Sequence, residues 1–516
     1  MLRGFWIALI VSVTLVACGR APSPGPALPA LPTGAMAQAE RSTLPSGKIK
    51  HIVFVIQENR TLDNIFGGPK PFPGADAASS GKTIDGKTIA LAKIDLGTLT
   101  GTQDPDNFHR PWLWACNPPD GQPPFKVGEV SPCKMDGFNV AASPHPNYTP
   151  TASTATIYSY VDYPQTQPYW NIAGQFTLGD HFFMGHNSES YTAHQFLFSA
   201  QSDNVASAPD YHKDSGYCGA LYLGCAYTPW GCDSPAGTTT SLLDAQGMVK
   251  PDGPFPCFKY PSLANRVDEA GLKWRLYAHS LCANINGLDA NSSISMTALW
   301  PKSRDWMSRC HFRTPFEAFL PTRIDTTNFR TPETTFLTDV GDSHGLADVT
   351  WVLPGLVTSD HPGVPAGYCG PWWVANVVNA IGLNKKYWAS TVIFILWDDW
   401  GGYYDHMRPY VVRDQQGPGF RVPLLVVSPY AKRGHVAHTD IEFATLLKFT
   451  EETLGLKSLG ATDASPYLHD LDDFFQTQAQ PFTKIKVPAR ISFPCSVLPK
   501  SKPNSTSRWL RMDDGD

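Results

Sequence analysis

Charge is scarce in this chain. Only 17% of its 516 residues are Asp, Glu, Lys or Arg, and the formal net charge is −5. Without a basic excess there is no electrostatic footprint for nucleic acid, so no nucleic-acid partner is expected. No sequence period recurs, which argues against a repeat architecture. None of the eleven cysteines shows zinc-ligand spacing. The apolar run Phe5 to Val16 is too short to span a bilayer comfortably as a mature helix. What the chain does have is 42% hydrophobic residues for a sizeable core, together with 42 Gly and 46 Pro that force long loops.

Residues 1–18, MLRGFWIALIVSVTLVAC, put one Arg ahead of the apolar run, as an export signal does. Leu15-Val16-Ala17-Cys18 resembles a bacterial lipobox, in which Cys18 carries the lipid that reaches the membrane. An ordinary signal peptide cut nearby is the alternative. Residues 19–48, rich in Pro and Ala, read as a tether. The compartment expected is the bacterial cell envelope or periplasm, lipid-anchored, with secretion as the alternative. Setting Cys18 aside leaves an even number of cysteines, which suggests disulfides in an exported chain. Cys116–Cys133 and Cys282–Cys310 are the pairs expected. A catalytic domain is expected over 49–480, with loop-rich insertions at about 203–261 and 280–345 and a polar tail over 481–516.

Ile52 to Ile56 is a continuous apolar run, which fits a strand buried on both faces in a parallel sheet. Gln57, Glu58, Asn59 and Arg60 follow at once, where ligands bind in open α/β sheets. Glu58 and Asn59 offer hard oxygen ligands for a cation. A second buried strand, Thr391 to Leu396, runs into Trp397-Asp398-Asp399-Trp400-Gly401-Gly402-Tyr403-Tyr404-Asp405-His406. Adjacent carboxylates repel unless a cation or proton neutralises them, so Asp398 and Asp399 favour a metal over a plain turn. Ser190 opens a helical pattern with Tyr191, His194, Phe198 and Gln201. Its ordinary role would be an N-cap, yet a helix amino end also binds phosphate, and a serine there is well placed to attack it. His109, His279, His361, His435 and His438 are each ambiguous between packing and chemistry. Strands at Leu272–Ala278, Ala347–Leu353 and Arg421–Ser428 alternate with helices at Trp372–Ile381 and Asp440–Leu456, which argues for a mainly parallel sheet.

In order, the motifs QENRTLDNIFG (57–67), MDGF (135–138), GHNSESYTAHQF (185–196), SDHP (359–362), WDDWGGYYDH (397–406) and RVPLLVVSPYAKRGHVAHT (421–439) resemble the phosphoesterase family of bacterial acid phosphatases and phospholipases C. The resemblance runs from about residue 49 to 478. It implies an alkaline-phosphatase-like three-layer α/β/α core. It also implies that Glu58, Asn59, Ser190, Asp398 and Asp399 hold a divalent metal and that Ser190 is the nucleophile, four residues before His194. His361, and also His109 and His279, would contact phosphate or leaving group. Asp405 and His406 match the motif, with His406 counted among the catalytic candidates. The family's usual Gly-Pro-Ser/Thr is replaced here by GHNSES, which makes Ser188 a rival nucleophile.

An all-oxygen ligand set favours Mg, Ca or Mn. The substrate implied is a small phosphate ester or a phospholipid headgroup. Family phospholipases often carry further C-terminal domains, so a chain ending soon after the core tilts the expectation towards monoesters, as in acid phosphatases. Phospholipase C chemistry is the alternative, with Trp372, Trp373, Trp397, Trp400, Tyr403 and Tyr404 available for a choline cage. A surface lipoprotein that only binds ligand is a further alternative, which the intact residue set opposes. A sulfatase is disfavoured because no Cys/Ser-x-Pro-x-Arg segment occurs.

Overall fold

Strand β1, His51–Gln57, is buried along six of its seven residues. Its apolar run has no polar break and therefore no solvent face, so the strand belongs in the middle of a covered sheet. The computed structural model places it there. The structure describes residues 47–97, 105–119, 121, 123–144, 152–207, 231–234, 237–251, 253–278, 315–323, 327–341, 344–355, 358–362 and 369–487. The signal segment, Cys18, most of the tether, His279, Cys282, Cys310, most of the second insertion and the end of the tail lie outside the described residues.

The other strands of the main sheet are β2 (Thr177–Gly179), β3 (Trp274–Tyr277), β4 (Phe329–Arg330), β5 (Val349–Val352), β6 (Thr391–Trp397), β7 (Leu424–Val427) and β8 (His435–Ala437). Their order is β4-β3-β5-β1-β6-β7-β2-β8. All pairings are parallel except the two on either side of β7. Among the described strands of this sheet, β7 alone runs against the rest. The carboxyl ends of β1, β6, β2 and β8 therefore open on one edge of the sheet.

Register sorts the core into two faces. Phe54 lies opposite Trp351 and Phe394 on its two neighbours, so all three point to one side. There Phe198 of α4 (Ser190–Ser199) packs on Trp351, and Phe449 of α6 (Phe443–Leu454) packs on Phe394. Trp397, an odd number of residues beyond Phe394, points to the other side and meets Tyr169 of α3 (Tyr163–Ala173) edge-on. Helix α5 (Gly370–Gly382) packs against α3 on that side. Two helical layers thus enclose the sheet, as the alternating pattern predicts. Burying each of these large side chains contributes about 1.5–3 kcal/mol, which is why the central strands carry almost nothing else.

Helix α3 goes against its local sequence signals, with Pro168 in its interior, and the sequence reading passed over it. Among the loops, Cys116–Cys133 is bridged as expected, and Cys232–Cys257 forms a bridge that spacing did not indicate. Disulfides of this kind fit an oxidising, extracytoplasmic compartment. Among the described residues, no helix is long and apolar enough to cross a membrane.

Candidate active site

The ends of β1 and β6 and the start of one helix build the site. Beyond β1 the chain turns through Asn59, which takes φ 62°, a left-handed conformation that asparagine tolerates. The turn packs on the one after β6. A Cβ on Gly401 would lie 2.1 Å from the Asn59 carbonyl oxygen, so only glycine lets the two turns touch. Asn59 N–H donates to Asp398 Oδ1 at 3.2 Å, and Asp399 N–H donates to the same oxygen at 2.7 Å. Gly401 N–H donates to Asp399 Oδ1 at 2.7 Å. Backbone amides therefore aim both carboxylates before any ligand arrives.

Helix α4 supplies the hydroxyl. Its cap is Glu189, whose carboxylate accepts from Tyr191 N–H at 2.7 Å. Ser190, the first helical residue, is thereby released from capping. Its Oγ donates to Asp399 Oδ2 at 2.7 Å and lies 3.4 Å from Asn59 Oδ1. Ser188, the rival, donates to the Ala206 carbonyl at 2.6 Å and is fully buried. One turn further along α4, His194 Nε2 faces Asp398 Oδ2 at 3.2 Å. The spacing of four residues places His194 on the Ser190 side of the helix, a signal legible in the sequence. It was read there only as a motif match, not as a ligand.

Asn107 was missed altogether. Its Nδ2 donates to Asp399 Oδ2 at 2.8 Å, and its carbonyl accepts from Trp400 Nε1 at 3.0 Å. His361 Nε2 lies 3.4 Å from Asn59 Nδ2, so the structure brings His361 to the site's edge. Its loop is pinned by Gln57, whose Oε1 accepts from Asp360 N–H at 3.0 Å, and by Arg60, whose Nε donates to the Asp360 carbonyl at 3.0 Å.

Two histidines expected at the site have other partners. His109, the first residue of α2 (His109–Cys116), is buried against Asn187 Oδ1 at 2.9 Å and the Gly247 carbonyl at 3.2 Å. His406 bonds Asp63 through Nδ1 at 2.8 Å and Asp76 through Nε2 at 3.0 Å. With Asp405 and the fully buried Arg421 it forms an ion-pair network around Asp63 of α1 (Leu62–Phe66). The tryptophans and tyrosines considered for a choline cage are all buried.

Electrostatics divide the two aspartates. Burial raises the proton affinity of both. At Asp398 the His194 imidazole overcomes this and holds the carboxyl below its ordinary range. At Asp399 burial and the Asp398 charge act together and push it well above that range. His194 is raised despite its burial because Asp398 stands against it.

A cation fits here. Glu58, His194 and Asp398 each bring a donor atom within 4.8 Å of the others. His194 Nε2 and Asp398 Oδ2 are buried and close, yet neither has a hydrogen bond of acceptable geometry. An ion would satisfy both. His194 offers a nitrogen beside the all-oxygen set expected.

Residues 49–457 match the phosphoesterase family model. The chain belongs to the phosphoesterase family. It is a hydrolase of phosphoric ester bonds. Phospholipase C B of Mycobacterium tuberculosis is 22% identical over 448 residues, covering 79% of this chain and 74% of that protein. The non-hemolytic phospholipase C of Burkholderia pseudomallei is 23% identical over 466 residues, covering 83% of this chain and 58% of that protein. A protein of the alkaline phosphatase superfamily from Vibrio parahaemolyticus aligns over 84% of this chain and 73% of its own, with 9% identity and a TM-score of 0.33. The core expected from the family motifs, a mainly parallel sheet between helices, is the one observed.

Proposed function

We propose that Ser190 is the nucleophile of a metal-dependent phosphoesterase, with Glu58, Asn59, His194, Asp398 and Asp399 around the cation. The observation that carries this reading is the Ser190 Oγ–Asp399 Oδ2 hydrogen bond of 2.7 Å at the amino end of α4. Because Asp399 Oδ2 already accepts the Ser190 hydroxyl hydrogen, it is the group placed to take the Ser190 proton as Oγ attacks phosphorus. The leaving alcohol departs opposite Ser190, and water then releases the phosphoryl group from the serine ester. The α4 amino end and Asn59 orient the phosphoryl oxygens, and His361 stands beside Asn59 to assist the leaving group. A cation held by Glu58, His194 and Asp398 would neutralise charge on the phosphate and lower the serine hydroxyl's pKa. A nitrogen from His194 in the set moves the preference away from Mg and Ca towards Mn or other transition ions.

Between substrates, the relatives named phospholipase C favour a phosphodiester headgroup over the monoester expected. The test compares p-nitrophenylphosphorylcholine with p-nitrophenyl phosphate, across divalent metals, for wild type and Ser190→Ala. Turnover of the choline diester that vanishes in Ser190→Ala is the result expected. Turnover of the monoester alone moves the reading to an acid phosphatase. Activity unchanged in Ser190→Ala overturns the nucleophile assignment.

A further inference from the structure

A second group of metal-binding side chains lies on the same sheet edge, beyond β2 and β8. Asp180 and His181 follow β2 directly, and His438 follows β8. Because these strands are parallel neighbours, their carboxyl ends bring the three residues together, each with a donor atom within 4.8 Å of the others. The two imidazole rings lie 5.6 Å apart at 65°. We propose that Asp180, His181 and His438, joined by Asp76, form a binding site for a divalent transition metal, separate from the site at Ser190.

The arrangement has the parts such a site needs. His181 Nδ1 donates to Asp440 Oδ1 at 3.0 Å, a second carboxylate behind the ring that leaves Nε2 as the ligand atom. That Nε2 stands 3.5 Å from Asp76 Oδ2, too far for a hydrogen bond and close to the separation of two ligands on one ion. His438 Nδ1 is hydrogen-bonded to Asp180 Oδ1 at 2.9 Å, a contact that a bound ion would replace. With bonds of about 2.0–2.1 Å, ligand atoms on a tetrahedral ion are separated by about 3.3 Å, between these two values. Asp76 N–H donates to Asp180 Oδ2 at 2.7 Å, which fixes the loop that brings in the fourth donor. Two imidazole nitrogens and two carboxylate oxygens suit zinc, cobalt or manganese, not magnesium or calcium.

A neighbouring group shows what a filled cluster looks like. Asp63, Asp405 and His406 also converge, but Arg421 occupies their centre, with Nε 3.1 Å from Asp405 and Nη2 3.3 Å from Asp63. At the Asp180 group, Arg421 reaches only the backbone carbonyls of Asp76 and Asp180, at 2.8 and 3.0 Å. Among the described residues no Lys or Arg side chain is ion-paired with the Asp76 or Asp180 carboxylate there, although the Arg421 charge acts on both and His406 Nε2 holds the other Asp76 oxygen at 3.0 Å. An ion would fasten the Asp76 loop to the ends of β2 and β8.

The test strips the full chain with chelator, reloads it with zinc near neutral pH and measures metal per chain after gel filtration. Wild type is expected to retain one more equivalent than His438→Ala or Asp76→Asn, while both variants keep their circular dichroism. The Asp398→Asn variant, altered at the other site, is expected to keep the ion that His438→Ala loses. Cobalt reloading of Asp398→Asn should show the visible absorption of a four-coordinate ion with nitrogen ligands. Equal metal content in wild type, His438→Ala and Asp76→Asn overturns the proposal, as does a single ion in wild type that disappears in Asp398→Asn. Metal content is read independently of hydrolysis, so failure of the catalytic reading leaves this result standing.

Discussion

Replacing Asp360 by Asn should make the protein's stability less sensitive to pH. Asp360 is fully buried beside the site. Its Oδ2 accepts from Tyr169 Oη at 2.7 Å and from Trp397 Nε1 at 3.1 Å, while its Oδ1 has no hydrogen-bond partner. Burial pushes the carboxyl from an ordinary 3.8 up to about 7, more than the Tyr169, Arg60 and Trp397 contacts pull it down. The folded protein therefore holds a proton that the unfolded chain has lost between about pH 4 and 7. A proton held by the native state alone makes stability fall as pH rises, by about 1.4 kcal/mol per pH unit. Over about three pH units the total is about 4 kcal/mol. Asn cannot titrate, so Asp360→Asn should gain on wild type by that amount across the window and run parallel above it. The amide leaves an unpaired N–H near the old Oδ1 position, an offset that is the same at every pH. Urea denaturation at half-unit steps from pH 4 to 8, both proteins under identical metal conditions, measures the difference. Parallel curves throughout would refute the reasoning.

Gly401→Ala should lower kcat/KM by about 100-fold, because a Cβ only 2.1 Å from the Asn59 carbonyl must displace the turn that orients Asn59 and Asp398; steady-state kinetics at saturating metal checks it. Arg421→Met should destabilise the fold by about 3–5 kcal/mol, since Asp63 and Asp405 would be left buried without their cation. Chemical denaturation reads this directly, and the double change Arg421→Met with Asp405→Asn should recover part of the loss. His406 is raised from 6.5 to about 9: burial lowers it, but Asp63 more than reverses this. Its stabilising contribution is fully present below about pH 6.5 and is lost as pH climbs through 9, so wild type should lose more stability than His406→Asn over that interval. Ser188→Ala should keep nearly full activity, because its hydroxyl is committed to the Ala206 carbonyl.

The sheet was legible where the code is local. Ile52–Ile56 and Thr391–Leu396 are apolar without interruption, and each became a central strand ending in the polar residues that form the site. The direction of Leu424–Val427 was not legible, because the same apolar strand serves either way and the partner decides. Strand β8, His435–Ala437, is short and half-exposed, so it lacked any pattern to find. At the site, the expected Glu58, Asn59, Ser190, Asp398 and Asp399 do come to one edge. His194 and Asn107 were harder, since what gives them meaning is contact with Asp398 and Asp399 across more than two hundred residues of sequence. His406 misled for the opposite reason: it sits in the same motif as the aspartates, but the turn at Gly401 and Gly402 carries it round to Asp63.

The central claim is that Ser190 carries the phosphoryl group during turnover. Enzyme mixed with excess p-nitrophenylphosphorylcholine, quenched in acid within milliseconds to seconds and digested for mass spectrometry, tests it most directly. The account predicts a phosphorylcholine ester on Ser190 that forms in the presence of divalent metal and is absent after chelation or in Ser190→Ala. An ester on Ser188, or full turnover by Ser190→Ala with no ester at either position, would contradict it.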